Sequence, residues 1–238
     1  MEGIEAFLGK NPYFDSLSRA EVRDLAKLLI ERRYERGEYL FMEGDIANWA
    51  GIILEGQVKL VKHSDTGKDL TLDVLGPGRL VGLTTLNAES VCRISAQAME
   101  PTQLLSLPRQ DLVALLERHP RASLAVISDL GRRLEEAYEM MRSLALERVE
   151  RRIALNLIKL AGRIGVARPQ DGSVLIDLPL TRQDVAEMSG TTLETAIRTM
   201  SKFQKQGLVE SEDGRIRLLK PHRLVLIAED AAGRASDS

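Results

Sequence analysis

Cysteine is nearly absent: Cys92 is the only one in 238 residues. No disulfide can close within the chain, and one copy cannot build a four-cysteine zinc or iron–sulfur site. Histidine is scarce too, limited to His63, His119 and His222, and aromatic residues make up 4% of the chain. No apolar run approaches the roughly 20 residues of a membrane-spanning helix. The opening stretch, which carries Glu2 and Glu5, lacks the apolar segment of a secretion signal. These absences predict a cytoplasmic protein that engages no membrane. Metal-ligand clusters, phosphate loops and nucleophile elbows are missing, so neither a metal site nor an enzymatic activity is expected.

A uniformly basic coat is also lacking, since the formal net charge is −2. The charge is unevenly placed, however. Residues 148–238 hold 15 Lys+Arg against 12 Asp+Glu, whereas residues 1–147 hold 18 against 23. That asymmetry fits an acidic regulatory part joined to a mildly basic binding part.

What the sequence does contain is most explicit between Leu180 and Gly207, LTRQDVAEMSGTTLETAIRTMSKFQKQG. Thr181 and Asp184 have the spacing of a helix cap and its reciprocal acid, with Leu180 and Val185 as a hydrophobic staple. Gly190 falls where a turn needs a positive φ. Val185, Ala186, Ala196, Met200 and Phe203 form a joint apolar face. Thr192, Glu194, Ile197, Arg198, Ser201, Lys202 and Lys205 are left facing outward. This is the layout of a helix-turn-helix whose second helix enters a DNA major groove. A plain pair of core helices, or a module that binds protein through the same surface, is the alternative.

The rest of the chain supplies the setting. Residues 1 to about 33 show helical spacing, with Asp15 and Ser18 as caps. From Tyr34 to Leu107 short alternating or β-branched runs are separated by turns such as Glu55-Gly56, Asp65-Thr66-Gly67 and Gly76-Pro77-Gly78. Many short strands at near-regular spacing indicate an antiparallel barrel or jelly roll, which can be filled or can hold one small ligand. After Pro120 a long helix carries Ile127, Leu130, Leu134, Ala137, Met141 and Leu144 at alternating spacings of 3 and 4. That is a coiled-coil seam, and it predicts either a symmetric homodimer or packing on the β-domain. Leu124, Val126, Tyr138 and Met140 are available to cover the barrel. Glu147–Arg151 reads as a hinge. A helix, a loop over residues 165–172, a strand at Val174–Leu178, the helix pair and a terminal hairpin then make a winged helix. The expected division is α+β: residues 1–120 as the barrel sensor with N-terminal helices, 121–147 as the dimerisation helix, 148–230 as the winged helix-turn-helix, and 231–238 as a loose tail.

In this order the parts resemble the CRP/FNR family of bacterial transcription regulators, over about residues 12–228. The sensor motifs are Gly37-Glu38-Tyr39-Leu40-Phe41-Met42-Glu43-Gly44-Asp45, Gly51-Ile52-Ile53-Leu54-Glu55-Gly56-Gln57-Val58, and Leu75-Gly76-Pro77-Gly78 with Gly82. In the DNA-binding part they are Leu180 to Ala186, Gly190-Thr191-Thr192, Glu194-Thr195, Arg198 and Gly207-Leu208-Val209. The resemblance implies a cyclic-nucleotide-binding-like barrel and a homodimer on a near-palindromic double-stranded DNA operator, with RNA polymerase as a further partner. It also implies base reading by Glu194 and Arg198, with Leu193 and Ile197 in contact where family members often carry other residues. Thr181, Arg182, Thr192, Lys202 and Lys205 are the expected phosphate contacts.

The resemblance also carries an expectation about the effector. Members that bind cyclic AMP use a Gly-Glu pair for the ribose, an Arg-Ser/Thr pair for the phosphate and a hydroxyl pair for the adenine. Here these fall on Gly82-Leu83, on the stretch containing Cys92 and Arg93, and on Ala137-Tyr138. Arg93 matches the arginine in one alignment and lies one residue late in another. Cyclic AMP is therefore not expected, and one cysteine rules out the family's iron–sulfur cluster. Haem and an effector-free barrel remain as alternatives, since Leu83, Leu86, Ile94 and Met141 would suit either. Gly82, Leu83, Cys92, Arg93 and Tyr138 are the candidate effector pocket.

Overall fold

The computed structural model describes residues 2–65, 68–87 and 91–229. The turn at Thr66-Gly67 and the tail over 231–238 lie outside those residues. The chain forms two compact units, one of residues 1–60 with 73–138 and one of residues 61–72 with 139–238.

The N-terminal part begins with helices α1 (Glu2–Gly9) and α2 (Arg19–Leu28). Ser18 caps α2, its hydroxyl accepting from the Glu21 amide while the Glu21 carboxylate takes the Ser18 amide. Eight strands follow: β1 (Ile30–Tyr34), β2 (Tyr39–Phe41), β3 (Trp49–Glu55), β4 (Val58–Lys62), β5 (Leu70–Leu75), β6 (Leu80–Val81), β7 (Ser95–Ala98) and β8 (Thr102–Pro108). They form two four-stranded sheets, ordered β1-β8-β3-β6 and β2-β7-β4-β5. The barrel thus has the predicted antiparallel character. Gly56 turns β3 into β4 at φ +85°, and a side chain there would meet the Thr102 hydroxyl at 2.5 Å. A glycine is therefore required at this turn.

Helices α3 (Arg109–Arg118) and α4 (Pro120–Leu146) come next. Leu8, Val22, Ile52, Leu105, Leu112 and Val126 belong to one apolar cluster, which joins α1, α2 and α3 to the β1-β8-β3-β6 sheet. On α4, Ala122 and Val126 are buried while Leu124, Ile127, Leu130, Leu134, Tyr138 and Met141 are exposed. Ile127, Leu130 and Leu134 therefore face away from their own barrel, whereas Leu144, expected at the end of the same seam, is half-buried and packs against Gly190. Val126 covers the core as expected, but Leu124 and Tyr138 do not; they extend the exposed stripe. The buried side of α4 also carries a charge. The Asp129 carboxylate, 4% exposed, pairs with Arg79, with Arg132 at 3.1 Å and with Arg133 at 2.7 Å. Three guanidinium groups offset the desolvation of one carboxylate.

The C-terminal part contains α5 (Val149–Ile164), β9 (Gly165–Arg168), β10 (Ser173–Ile176), α6 (Arg182–Met188), α7 (Leu193–Lys205), β11 (Val209–Glu212), β12 (Arg215–Leu218) and α8 (Pro221–Glu229). Its sheet runs β11-β12-β10-β9. The wing turn between β11 and β12 uses Asp213 at φ 49° and Gly214 at φ 77°, as a tight hairpin requires. Ile153, Leu157, Ile176, Met200, Phe203, Ile216 and Leu224 are fully buried or nearly so.

Four local readings change. Strand β1 begins at Ile30, inside a stretch expected to be helical. The short β6 was not anticipated. Residues 165–168 form β9, antiparallel to β10, where a loop was expected. Finally, α8 follows the hairpin: Pro221 suits a first helical turn, and Leu224 and Ala228 seat the helix.

No helix among the described residues is long and apolar enough to cross a membrane.

Candidate nucleic-acid interface

The interface is assembled from α6, the turn after it, and α7. The Thr181 hydroxyl accepts from the Asp184 amide at 3.1 Å, and the Asp184 carboxylate takes the Thr181 amide at 2.9 Å. This is the predicted capping box, and it fixes where α6 starts. The turn holds Gly190 at φ +56°. Thr192 then caps α7, its hydroxyl accepting from the Thr195 amide at 3.3 Å. Glu194 in the first turn of α7 and Lys202 and Lys205 in the last complement the helix dipole.

Packing decides which face of α7 is free. Ala196, Met200 and Phe203 are 0% exposed, and Thr199 is 9% exposed. The opposite face carries Leu193, Glu194, Ile197 and Arg198, all exposed. Leu193 and Ile197 are 44% and 45% exposed and lie one helical turn apart, so they give this face two adjacent aliphatic side chains. Glu194 and Arg198 lie on the same exposed face, and among the described residues no ion pair joins them. Their polar groups remain available to an outside partner.

The five expected phosphate contacts differ among themselves. Lys205 is exposed. Lys202 is exposed too, but its ammonium sits 2.7 Å from Glu150 on α5. Arg182 is half-buried and donates to the Ser211 hydroxyl on β11 at 3.2 Å. Burial holds its pKa below the usual arginine value. The Thr181 and Thr192 hydroxyls already donate to Asp184 and Thr195. No local sequence pattern signals the Lys202–Glu150 and Arg182–Ser211 contacts, because the partners are far apart along the chain.

Behind the interface lies the junction between α4 and α5, where the hinge was expected. Only Glu147 and Arg148 separate the two helices. The Glu147 carboxylate is 2% exposed. One oxygen accepts from the Ser143 hydroxyl at 2.6 Å. The other makes no hydrogen bond and relies on the charges of Arg142 at 3.2 Å and Arg151 at 3.6 Å. Arg152 donates to the Glu147 carbonyl at 2.8 Å and the Ser189 carbonyl at 2.9 Å. Burial pulls the Arg152 pKa down, and Glu147 opposes that shift.

In the sensor the candidate pocket residues are placed unequally. Gly82 adopts φ +80°, and a side chain on it would come within 3.0 Å of the Trp49 carbonyl. Its glycine thus has a reason in the fold. Leu83 is 8% exposed and belongs to the apolar cluster shared with the N-terminal helices and α3. Cys92 is 3% exposed; burial first, and the Asp45 charge second, push its thiol pKa up. Arg93 is exposed, and so is Tyr138 on α4. His63 sits 2.9 Å from Asp69, and His119 sits 3.7 Å from Glu21. Among the described residues, no group of three His, Cys, Asp or Glu side chains could hold a metal ion.

A barrel of this topology followed by a winged helix-turn-helix with an outward α7 defines a DNA-binding transcription regulator. Comparison with known proteins agrees. Residues 31–119 match the family described as Cyclic nucleotide-binding domain, and residues 151–227 match the Crp-like helix-turn-helix domain. The chain is 32% identical over 226 residues to the Cyclic AMP receptor protein of Thermus thermophilus, covering 94% of this chain and 99% of that one. It is 27% identical over 200 residues to the Transcriptional activator protein anr of Pseudomonas aeruginosa, covering 83% and 80% respectively. The solved structure of FixK2 from Bradyrhizobium japonicum shares the fold, with a TM-score of 0.73 at 24% identity over 84% of this chain and 96% of that one. The chain belongs to the CRP/FNR family of bacterial transcription regulators.

Proposed function

We propose that the protein acts as a homodimer that reads a near-palindromic operator through α7, with Glu194 and Arg198 as the principal base contacts. The observation that carries this reading is the sidedness of α7. Its inner face is sealed by Ala196, Met200 and Phe203, and its outer face presents Glu194, Arg198, Leu193 and Ile197. An arginine can donate two hydrogen bonds to guanine O6 and N7, a carboxylate can accept from cytosine N4, and the two aliphatic side chains can meet thymine methyls. In this reading Thr181, Arg182, Thr192, Lys202 and Lys205 would set register on the phosphates. Two copies joined along the exposed stripe of α4 would bring two α7 helices to half-sites about one helical turn apart. RNA polymerase is the partner such a regulator addresses at a promoter.

For the sensor, we propose a barrel that does not take cyclic AMP by the family's anchoring set. Leu83 stands where the ribose carboxylate belongs, and it is packed among aliphatic side chains. Tyr138 and Ala137 replace the hydroxyl pair. The relative named Cyclic AMP receptor protein carries its ligand in its name, but here Gly82-Leu83 lacks the ribose carboxylate and Ala137-Tyr138 lacks the hydroxyl pair, while Arg93 matches the phosphate arginine in one alignment only. A haem finds little support in the donor set. His222 is exposed on α8, and Cys92 is a buried thiol whose pKa is pushed up, not down. Any effector would act by favouring one pose of the two winged helices over another. Selection from a pool of random duplexes tests the DNA reading. A two-fold symmetric consensus supports it, and the absence of salt-sensitive binding to any duplex contradicts it.

A further inference from the structure

The wing hairpin is acidic at its tip. From Val209 to Leu218 it reads VESEDGRIRL, with carboxylates at 210, 212 and 213. The first two are neutralised by arginines of the same sheet and its loops. Glu210 pairs with Arg217 at 2.8 Å, and Glu212 pairs with Arg168. Arg217 also holds Asp171, and Arg215 holds Asp177 at 3.0 Å. Asp213 differs from its neighbours. It is exposed, it takes the positive φ of the turn, and among the described residues no ion pair joins its carboxylate.

The tip is tied to the helix pair by three hydrogen bonds. The Gly214 carbonyl accepts from the Leu180 amide at 3.0 Å, and Leu180 immediately precedes Thr181, the cap of α6. The Ser211 hydroxyl accepts from Arg182 on α6 at 3.2 Å and from Gln204 on α7 at 3.3 Å. Asp213 therefore stands beside the start of α6, where the proposed DNA reading sets Thr181 and Arg182 on the phosphates. At that corner the Thr181 amide and hydroxyl are already engaged by Asp184. A phosphate brought there meets a wing carboxylate that no arginine neutralises.

We infer that Asp213 is a repulsive determinant of DNA affinity, its carboxylate opposing the phosphate backbone beside the start of α6. The inference rests on the proposed DNA reading. The phosphate backbone supplies the sequence-independent part of binding, and that is the part Asp213 weakens. Base reading by α7 is left as it is, because hydrogen bonds and apolar contacts to base edges carry the sequence information. Like charges separated by water repel weakly, and salt screens them over about 10 Å at 0.1 M. The repulsion is therefore strongest at low salt. Asp213 holds down binding to DNA of any sequence, so that occupancy depends more heavily on the base contacts of Glu194 and Arg198.

The test titrates the full chain against its preferred duplex and an unrelated duplex, from low to high salt. Asn and Gly both tolerate positive φ, so Asp213→Asn and Asp213→Gly remove the charge and keep the turn. Each should tighten binding to both duplexes by about threefold at low salt, and the gain should shrink as salt rises. The preferred base sequence should stay the same. Asp15→Asn removes an equal charge from an exposed site in the N-terminal part and should leave both affinities unchanged. Affinity that is unchanged or weaker in the Asp213 variants overturns the inference and leaves the DNA reading standing. So does an equal gain in Asp15→Asn, which would make the effect one of net charge, or a gain that persists undiminished at high salt. If Asp213→Asn does not fold, Asp213→Gly decides by the same titrations. If the parent chain binds no duplex at any salt, the DNA reading itself fails and the inference falls with it.

Discussion

Leu144 on the last turn of α4 rests against Gly190 in the turn between α6 and α7. The glycine sits at φ +56°, so it is required there both by backbone conformation and by the space Leu144 occupies. Gly190→Ala should therefore be costly for two reasons. Strain in the left-handed region costs about 1 kcal/mol, and the clash with Leu144 adds about 1–3 kcal/mol. Thermal unfolding should show the loss, and Leu144→Ala in the same chain should recover part of it by vacating the space. Unchanged stability in Gly190→Ala would show that the turn relaxes freely.

The helix pair was legible because its signals are local. A cap and its acid lie three residues apart, the apolar face repeats at helical spacing, and the turn glycine stands between them. The long helix α4 and its apolar stripe were legible for the same reason, and the structure leaves Ile127, Leu130, Leu134 and Met141 exposed. Strand β1 was not, because Ile30–Tyr34 reads IERRY and is an edge strand held only by pairing with β8. Strand β9 is likewise an edge, visible only through β10. The α8 segment was lost because its short apolar run follows the hairpin directly. Contacts such as Asp129–Arg79 or Arg152–Ser189 join residues 50 and 37 positions apart. No spacing rule reports them. The direction of Leu83, into the aliphatic cluster, is similarly a product of tertiary packing.

The exposed stripe on α4 yields a second prediction. Replacing Leu130 and Leu134 together by Glu puts two charges into the seam while removing aliphatic area worth about 1.5–3 kcal/mol per side chain when buried. Both residues are exposed within one chain, at 43% and 51%, so the fold itself should survive. Sedimentation should show a dimer for the parent and a monomer for the double variant, with unchanged circular dichroism. A dimer that persists would place the interface elsewhere.

Phosphate contacts should reveal themselves by salt. Lys205 is exposed, whereas Lys202 is already paired with Glu150. Lys205→Met should weaken binding to all duplexes alike and reduce the slope of log affinity against log salt by about 0.9. Lys202→Met should reduce it by less if the Glu150 pair persists on DNA. A slope unchanged in Lys205→Met would remove that residue from the contact set.

The wing sheet carries a pH signature. Asp171 is held at about 2, first by the Ser173 hydroxyl, then by the Ser173 amide and by Arg217. A carboxylate whose folded pKa is depressed stabilises the fold above its unfolded value and loses that effect as pH falls through the folded one. The contribution of Asp171 should thus be complete above about pH 4 and lost by about pH 2. Asp171→Asn should flatten the acid limb of the stability profile in that window. An identical acid limb would mean that the carboxylate is solvated like a free one. Because the group is solvent-exposed, the effect should also shrink in high salt.

The most direct test of the account is the specificity of α7. Arg198→Ala and Glu194→Ala should each be measured by selection from random duplexes and by titration on the parent's preferred site. The account predicts that each variant loses preference at one base pair per half-site, mirrored across the two-fold axis. It also predicts that affinity for that site falls by about 1–3 kcal/mol while binding to unrelated duplexes is unchanged. If both variants retain the parent's consensus and affinity, α7 is not the reading helix, and the central claim is wrong.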